Sequence, residues 1–251
     1  MATRKKTRVR ADQKLVDLGL AESRTKAQAL ILAGQVFLGE QRIAKPGVTL
    51  KDHDLPRVKK RDKYVSRGGH KLDGALTEMQ FEVNGFTCLD IGASTGGFTD
   101  CLLQRGANKV YAVDVGRGLL ANKLVQNPGV VVMDRTNARH LQADQFHDVL
   151  DLIVVDASFI GIGKLVDAFT RIAPVGSHLL AMVKPQFEVG KEAARRHKGV
   201  ITDPDLRTSA VLGARESIEQ GGFRVTAACD AKLAGPKGNI EHFLLARRIA
   251  G

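Results

Sequence analysis

Short apolar runs and helical stretches alternate along the chain from residue 72 onward, and this alternation limits the folds that the chain can adopt. Continuous apolar runs bounded by turns are typical of strands buried on both faces. Helices between such strands indicate a parallel sheet covered on both sides. The sequence therefore predicts strands at 87–91, 110–113, 130–133, 150–155 and 179–183, with helices at 72–79, 98–105, 118–124, 162–172 and 206–220.

The last two apolar runs break this alternation. Residues 223–228 and 242–248 follow one another without a helix between them, which predicts a final antiparallel pair. The expected fold class is therefore α/β, with a Rossmann-like, mostly parallel sheet whose last strand is antiparallel. Such a sheet is typical of methyltransferases and differs from a purely parallel dinucleotide-binding domain.

Basic residues are concentrated near the amino terminus. Residues 1–63 contain 16 Lys and Arg against 7 Asp and Glu, so they carry +9 of the net charge of +11. Such a segment favours a polyanionic partner, usually nucleic acid, because phosphate contacts release counterions. A solvated basic face and an anionic membrane surface are the alternatives that charge alone leaves open.

Other compositional features predict a soluble, cytoplasmic protein. The three cysteines, Cys88, Cys101 and Cys229, are too few for a disulfide framework and indicate a reducing compartment. No apolar run in the sequence approaches the roughly 18 residues that a membrane-spanning helix requires. The seven histidines form no metal-binding pattern, so we expect no metal.

The basic segment has the pattern of a small α+β unit. Residues 12–18 predict one helix, and Ser23 is suited to cap a second helix that ends at Gly34. A hairpin is predicted at 36–43, and residues 55–66 are basic and aperiodic, as in a linker.

This segment contains the motifs S-R-x-x-A and I-x-x-G-x-V within the run GLAESRTKAQALILAGQVFLGEQRIAKPGVTLKDHD. The run resembles the S4-type RNA-binding domain, although Ala11 stands where that domain usually has leucine. The resemblance implies an RNA-binding domain over 1–60 and a linker over 61–66. The residues expected to contact RNA are Arg10, Arg24, Lys26, Arg42, Lys45 and Arg67.

A glycine-rich loop, in the run CLDIGASTGGFT at 88–99, joins the first predicted strand of the sheet to the next helix. Glycines let the backbone approach a ligand, and the helix presents free N–H groups. The spacing fits neither the dinucleotide fingerprint G-x-G-x-x-G nor a phosphate-binding loop. It resembles the first motif of S-adenosylmethionine-dependent methyltransferases, which implies that this cofactor contacts Asp90, Gly92, Ser94, Thr95, Gly96, Gly97 and Phe98.

Acidic residues also end the next two predicted strands. Asp114 follows the second strand, where a carboxylate can accept hydrogen bonds from ribose hydroxyls. Asp134 follows the third strand, and we expect its carboxylate to receive the adenine amino group of the cofactor.

Four further polar residues indicate an active site. Asp156 and Lys184 end the fourth and fifth predicted strands, and ligands of open α/β sheets bind at these carboxyl ends. Lys71 follows the run SRGGH, and Glu241 begins the last strand. Each residue taken singly is as consistent with a solvated cap as with a catalyst, but their combination with a cofactor loop favours catalysis.

The order Lys–Asp–Lys–Glu resembles the tetrad of FtsJ-like RNA ribose 2′-O-methyltransferases. Nearly the whole chain resembles the TlyA family of bacterial rRNA 2′-O-methyltransferases, which are also labelled haemolysins. This resemblance implies a methyltransferase domain over 67–251, S-adenosyl-L-methionine as cofactor, and rRNA or a ribosomal subunit as substrate. The chain length and its end at Gly251 match the shorter form of the family, which implies a cytidine of large-subunit rRNA, with small-subunit rRNA as the alternative.

The residue types suit this chemistry. A ribose 2′-hydroxyl becomes a good nucleophile when its proton is removed or its developing charge is stabilised. We expect Lys184 to act on the hydroxyl and Asp156 to orient Lys184. Lys71 and Glu241 are expected to position the reacting groups.

Three other functions are weighed against this one. A membrane-active haemolysin would need an amphipathic or membrane-spanning segment, which the sequence does not show. A non-catalytic RNA-binding assembly factor would not need an intact cofactor loop together with Asp156 and Lys184. A small-molecule methyltransferase would not need the basic amino-terminal segment.

Overall fold

The computed structural model describes residues 8–59 and 62–250, and the chain divides into two compact units, Met1–Asp62 and Lys63–Gly251. Residues 1–7, 60, 61 and 251, which the predicted domain boundaries include, lie outside the described residues. The first unit contains β1 (Arg8–Arg10), α1 (Ala11–Asp17), α2 (Arg24–Leu32), β2 (Val36–Leu38), β3 (Gln41–Arg42), β4 (Thr49–Lys51) and β5 (Arg57–Val58).

The first unit has the predicted helix pair and hairpin. Helix α2 begins after Ser23, whose Oγ accepts a hydrogen bond from the backbone N–H of Lys26 at 3.3 Å. Strands β2 and β3 pair antiparallel, which confirms the hairpin. The two helices and the strands share one small apolar core, formed by Ala11, Leu15, Ala27, Ile31, Val36, Ile43 and Leu50.

The segment predicted as a linker is more ordered than its composition indicates. Strand β5 pairs antiparallel with β2, so the prediction of an aperiodic linker over 55–66 is wrong at this point. Two residues are too few to show a strand period, and the sequence therefore carries no signal for β5. Further along, Tyr64 is only 2% exposed in the core of the second unit, and Val65 N–H donates to Asp100 Oδ2 at 2.9 Å.

The second unit contains the alternating elements. Its helices are α3 (Arg67–Glu78), α4 (Gly97–Gln104), α5 (Asn122–Val125), α6 (Val166–Ile172), α7 (Pro185–Glu188), α8 (Lys191–Arg196) and α9 (Pro204–Gln220), with 3₁₀ turns at Ala138–His140, Ala143–Gln145 and Ile162–Lys164. Its strands are β6 (Thr87–Ile91), β7 (Lys109–Val113), β8 (Val130–Met133), β9 (Leu152–Val155), β10 (His178–Val183), β11 (Phe223–Asp230) and β12 (His242–Arg248).

Seven of the described strands form one sheet in the order β11-β12-β10-β9-β6-β7-β8. Strands β6 to β10 pair in parallel, whereas β12 lies antiparallel between β10 and β11. This arrangement confirms the predicted α/β class and its antiparallel last strand. The strand order reverses at β6, which pairs with β7 on one side and with β9 on the other. Such a switch point opens a crevice at the carboxyl ends of the parallel strands.

The sheet is buried on both faces because successive side chains of a strand point to opposite sides. Leu89 and Ile91 of β6 pack in one core with α6 and α9. Cys88 of the same strand packs in the other core with α3 and α4. The continuous apolar runs of the sequence therefore correspond to strands covered on both sides.

One predicted helix is shorter than expected. The prediction of a helix over 118–124 is wrong for its first part, since α5 spans only Asn122–Val125. Gly118 has φ +64°, in the left-handed region, so the chain turns here rather than continuing a helix.

A membrane-crossing helix would have to be long and apolar, and none of the helices within residues 8–59 and 62–250 meets both conditions.

Candidate active site

A cavity of about 880 Å³ lies at the carboxyl ends of the parallel strands, at the switch point beside β6. One part of its wall is the glycine-rich loop after β6, and another is the loop after β7. The opposite part contains the ends of β9 and β10 and the start of α3. The predicted residues in this lining are Arg67, Lys71, Gly92, Ser94, Thr95, Gly97, Phe98, Asp114, Asp156, Lys184 and Glu241.

The glycines of the loop are required by backbone geometry. Gly92 has φ +83°, and a Cβ added there would lie 2.7 Å from the carbonyl oxygen of Asp156. Gly96 has φ +93° and immediately precedes α4, although it does not line the cavity. Gly92 therefore brings the loop against the end of β9, so that the glycine-rich loop and Asp156 meet in one cavity.

Asp90 has a structural position rather than a place in the cavity lining, which differs from the predicted cofactor contact. Its Oδ2 accepts hydrogen bonds from Thr99 N at 2.9 Å and Thr99 Oγ1 at 2.6 Å, which ties the end of β6 to the first turn of α4. Full burial raises the pKa of Asp90 to about 7, although the bonds from Thr99 oppose this shift.

This raised pKa predicts a specific pH dependence of stability. The usual pKa of this carboxyl is 3.8, so the unfolded chain loses the Asp90 proton above that pH. The folded chain keeps the proton up to about pH 7. The contribution of Asp90 to the free energy of unfolding therefore falls as pH rises through this window, by at most about 1.4 kcal/mol per unit. Denaturant unfolding of wild type and Asp90→Asn at pH 5 and pH 7 isolates this contribution, and the same pH dependence in both proteins would contradict it.

The two predicted strand-end carboxylates Asp114 and Asp134 differ in their position relative to the cavity. The carboxylate of Asp114 lines the cavity and accepts hydrogen bonds from Ser94 N at 2.9 Å and Gly116 N at 2.7 Å. Each oxygen retains a lone pair for a ligand hydroxyl. Asp134 does not line the cavity, and its Oδ2 accepts from Gly118 N at 2.8 Å, so it stabilises the turn after β7.

The four predicted catalytic residues meet in the cavity wall as two ion pairs. Lys184 Nζ lies 2.5 Å from Asp156 Oδ1, and Lys71 Nζ lies 2.5 Å from Glu241 Oε2. Lys71 belongs to α3 and Glu241 immediately precedes β12, 170 residues later in the chain. The fold therefore assembles the tetrad from four separate elements.

The electrostatics of the tetrad follow from its burial. Lys184 is 7% exposed and Glu241 only 2%, whereas the Asp156 side chain retains 26% exposure towards the cavity. Burial raises the pKa of Asp156, although the adjacent Lys184 ammonium lowers it. Two cations and two anions balance, so each buried charge has a partner and none is left uncompensated.

Ser158 and Phe159 are site residues that the sequence reasoning missed. Ser158 Oγ accepts a hydrogen bond from Lys184 Nζ at 3.0 Å, and the Phe159 side chain is 90% exposed at the cavity. The available signal was their position directly after Asp156, because residues that follow a strand's carboxyl end line the crevice of such sheets.

Two of the predicted RNA contacts of the first unit, Arg10 and Arg24, bind a buried acid. Asp12 accepts hydrogen bonds from Arg10 Nε at 3.0 Å and Arg24 Nη2 at 3.1 Å. The Arg10 guanidinium holds the pKa of Asp12 well below its usual range. Arg10 and Lys45 line one shallow concavity of about 640 Å³, and Lys26 and Arg42 are exposed.

Arg67 belongs to the second unit and lies at the main cavity. It is exposed, and its Nη2 donates to the carbonyl oxygen of Ala234 at 2.7 Å.

Among the described residues, no group of three or more His, Cys, Asp and Glu side chains is arranged to hold a metal ion.

Comparison with known proteins supports both resemblances. A family model described as FtsJ-like methyltransferase matches residues 64–248, and one described as S4 domain matches residues 9–55. The chain is 43% identical to the 16S/23S rRNA (cytidine-2′-O)-methyltransferase TlyA of Mycobacterium tuberculosis, across 96% of this chain and 90% of that protein. It is 39% identical to Hemolysin A of Brachyspira hyodysenteriae, across 94% of this chain and 100% of that protein.

A solved structure shows the same likeness. A protein from Streptococcus thermophilus that is named as a hemolysin has a TM-score of 0.74 and 33% identity, covering 97% of this chain and 90% of that chain.

Proposed function

Because this chain belongs to the TlyA group of FtsJ-like methyltransferases, we propose that it methylates a ribose 2′-hydroxyl of a cytidine in ribosomal RNA. One observation carries the proposal: the pairs Lys184–Asp156 and Lys71–Glu241 share one cavity with the glycine-rich loop. The name of the Mycobacterium tuberculosis relative supplies the base and the class of RNA.

The cavity residues fit S-adenosylmethionine. Gly92 admits a ligand close to the backbone, Asp114 offers acceptors for ribose hydroxyls, and Val115 and Leu119 supply apolar surface for an adenine ring. When bound, S-adenosylmethionine supplies a methyl group on a sulfonium sulfur, and the S–CH₃ bond breaks as the O–CH₃ bond forms.

The protein's own residues act on the acceptor. The Lys184 ammonium first releases a proton to solvent. The neutral Nζ then takes the proton of the 2′-hydroxyl as the oxygen gains its methyl group, and Asp156 orients the ammonium that results. The Lys71–Glu241 pair holds the neighbouring wall in place. Alignment of donor and acceptor in one cavity supplies much of the acceleration of such a displacement.

Several features favour RNA as the acceptor. The first unit carries exposed Lys26, Arg42 and Lys45, which are suited to phosphates. Arg67 adds a cation at the cavity, and the exposed ring of Phe159 offers a surface on which an unpaired base can stack.

The test is methyl transfer to isolated ribosomal subunits with tritiated cofactor, followed by mapping of ribose methylation. We expect label at a cytidine ribose in large-subunit rRNA, and the small subunit assayed in parallel tests the alternative target. Label on a base, or no label in either subunit, would contradict the proposed function.

A pair of variants tests the cofactor assignment. Asp114→Ala should weaken S-adenosylmethionine binding by roughly 1.5–3 kcal/mol, because it removes hydrogen bonds to a charged group. Asp134→Ala serves as the matched comparison, and we expect a smaller effect because its carboxylate lies outside the cavity lining. Calorimetry measures both affinities. A larger loss of cofactor affinity in Asp134→Ala than in Asp114→Ala would favour the contact between Asp134 and adenine that the sequence predicts.

A further inference from the structure

The Lys184 amine has two protein acceptors at the cavity. Its Nζ lies 2.5 Å from Asp156 Oδ1 and 3.0 Å from Ser158 Oγ, and all three side chains line the cavity. The nitrogen is tetrahedral, so two N–H bonds directed at two acceptors determine where its remaining position points. That position carries a third N–H in the ammonium and the lone pair in the neutral amine.

With one acceptor, this direction is not determined. The amine of a lysine rotates about its Cε–Nζ bond between staggered settings, and a bond to Asp156 alone leaves the lone pair free to point to either of two remaining positions. The bond to Ser158 removes that choice. The two acceptors together therefore determine one direction for the lone pair.

We propose that Ser158 is a positioning residue for methyl transfer, whose hydroxyl directs the Lys184 amine towards the acceptor oxygen. This role rests on the proposed function, because it concerns the step that Lys184 performs. The proton of the 2′-hydroxyl passes to Lys184 Nζ while the oxygen gains its methyl group. Ser158 accepts a hydrogen bond from Lys184 before and after this transfer and gains or loses no proton.

The fold holds Ser158 in place from both sides. Asp156 N–H donates to the carbonyl oxygen of Ile91 at 2.9 Å, and Ile162 N–H donates to Glu188 Oε1 at 2.8 Å. Between these anchors Phe159 has φ +66°, a left-handed conformation that is strained for a residue other than glycine. These hydrogen bonds anchor the backbone on either side of Ser158.

A role in folding alone does not account for the bond between Ser158 and Lys184. Ser158 is exposed, so water could satisfy its hydroxyl without any protein partner. Removal of the Ser158 hydroxyl leaves the Lys184–Asp156 ion pair in place, so the buried charge of Lys184 keeps a partner. We therefore expect Ser158 variants to fold, which lets activity report on the hydroxyl itself.

The experiment compares full-length wild type with Ser158→Ala, Ser158→Thr and the control Ser209→Ala, which alters an exposed serine on α9. Methyl transfer to isolated ribosomal subunits gives kcat and both KM values, and calorimetry gives cofactor affinity. In Ser158→Ala we expect kcat to fall about ten- to a hundredfold with both KM values unchanged, because a misdirected group loses rate rather than binding. Ser158→Thr should recover most of the rate, since it retains the hydroxyl.

Three outcomes would overturn the role of Ser158. They are a kcat of Ser158→Ala within about twofold of the control, a Ser158→Thr variant as slow as Ser158→Ala, and a raised KM for RNA with kcat unchanged. The last outcome would make the hydroxyl an RNA contact. Absence of methyl transfer by the wild type itself would instead overturn the proposed function, and this assignment with it.

Discussion

Lys184→Ala should lower the rate of methyl transfer by about 10²- to 10⁴-fold, the usual contribution of a group that moves a proton in the transition state. Affinity for S-adenosylmethionine and for RNA should change little, because the amine acts chiefly in the transition state. Tritiated cofactor and ribosomal subunits measure the rate, and circular dichroism excludes misfolding. Near-normal transfer by Lys184→Ala would remove the tetrad from the mechanism.

Lys184→Arg separates two modes of action of this side chain. Arginine keeps its proton, so it cannot take one from the 2′-hydroxyl, although it can still stabilise a negative oxygen. We expect the arginine variant to remain nearly as slow as Lys184→Ala. Substantial recovery would show that Lys184 acts as a fixed cation, with the proton passing to water.

Combined substitution of Lys26, Arg42 and Lys45 by alanine should weaken the salt dependence of RNA binding. The slope of log affinity against log salt concentration should become shallower by about three units, because these side chains would no longer neutralise three phosphates. All three side chains are exposed in the first unit. Affinity should fall most at low salt, whereas S-adenosylmethionine binding should be unchanged. Filter binding or anisotropy over a series of salt concentrations gives the slope.

The matched control removes the same charge from the second unit. Arg215, Arg224 and Lys232 are exposed there, and their combined substitution by alanine should leave most of the slope intact. Equal reductions of the slope in both triple variants would mean that net charge, rather than the surface of the first unit, governs RNA binding.

Periodicity predicted the elements of the sheet well because burial on both faces imposes a local pattern. The predicted strands 87–91 and 130–133 coincide with β6 and β8. The predicted helix at 118–124 failed in part because Gly118 adopts a left-handed turn, and the apolar pattern around it does not encode that conformation. Strand β5 was missed because a two-residue strand has no period.

Position at strand ends predicted three charged residues of the cavity lining, since every parallel strand delivers its following residue to one edge of the sheet. Asp114, Asp156 and Lys184 were found in this way. The same rule misplaced Asp134, whose carboxylate turns back to Gly118 N. A strand end specifies an edge, but the direction of the side chain depends on the hydrogen bonds available around it.

The sequence by itself determined the α/β class, the glycine-rich loop and the identity of the four polar residues, because apolar periodicity and motif spacing are properties of neighbouring residues. The sequence also predicted Asp156 as the partner of Lys184, whereas only the tertiary structure decided that Lys71 pairs with Glu241 and that Ser158 contacts Lys184. The tertiary structure also moved Asp90 from the cofactor contacts to the link between β6 and α4. These partnerships join side chains from separate elements, and their energies depend on distances and burial that exist only once the sheet and its helices have packed.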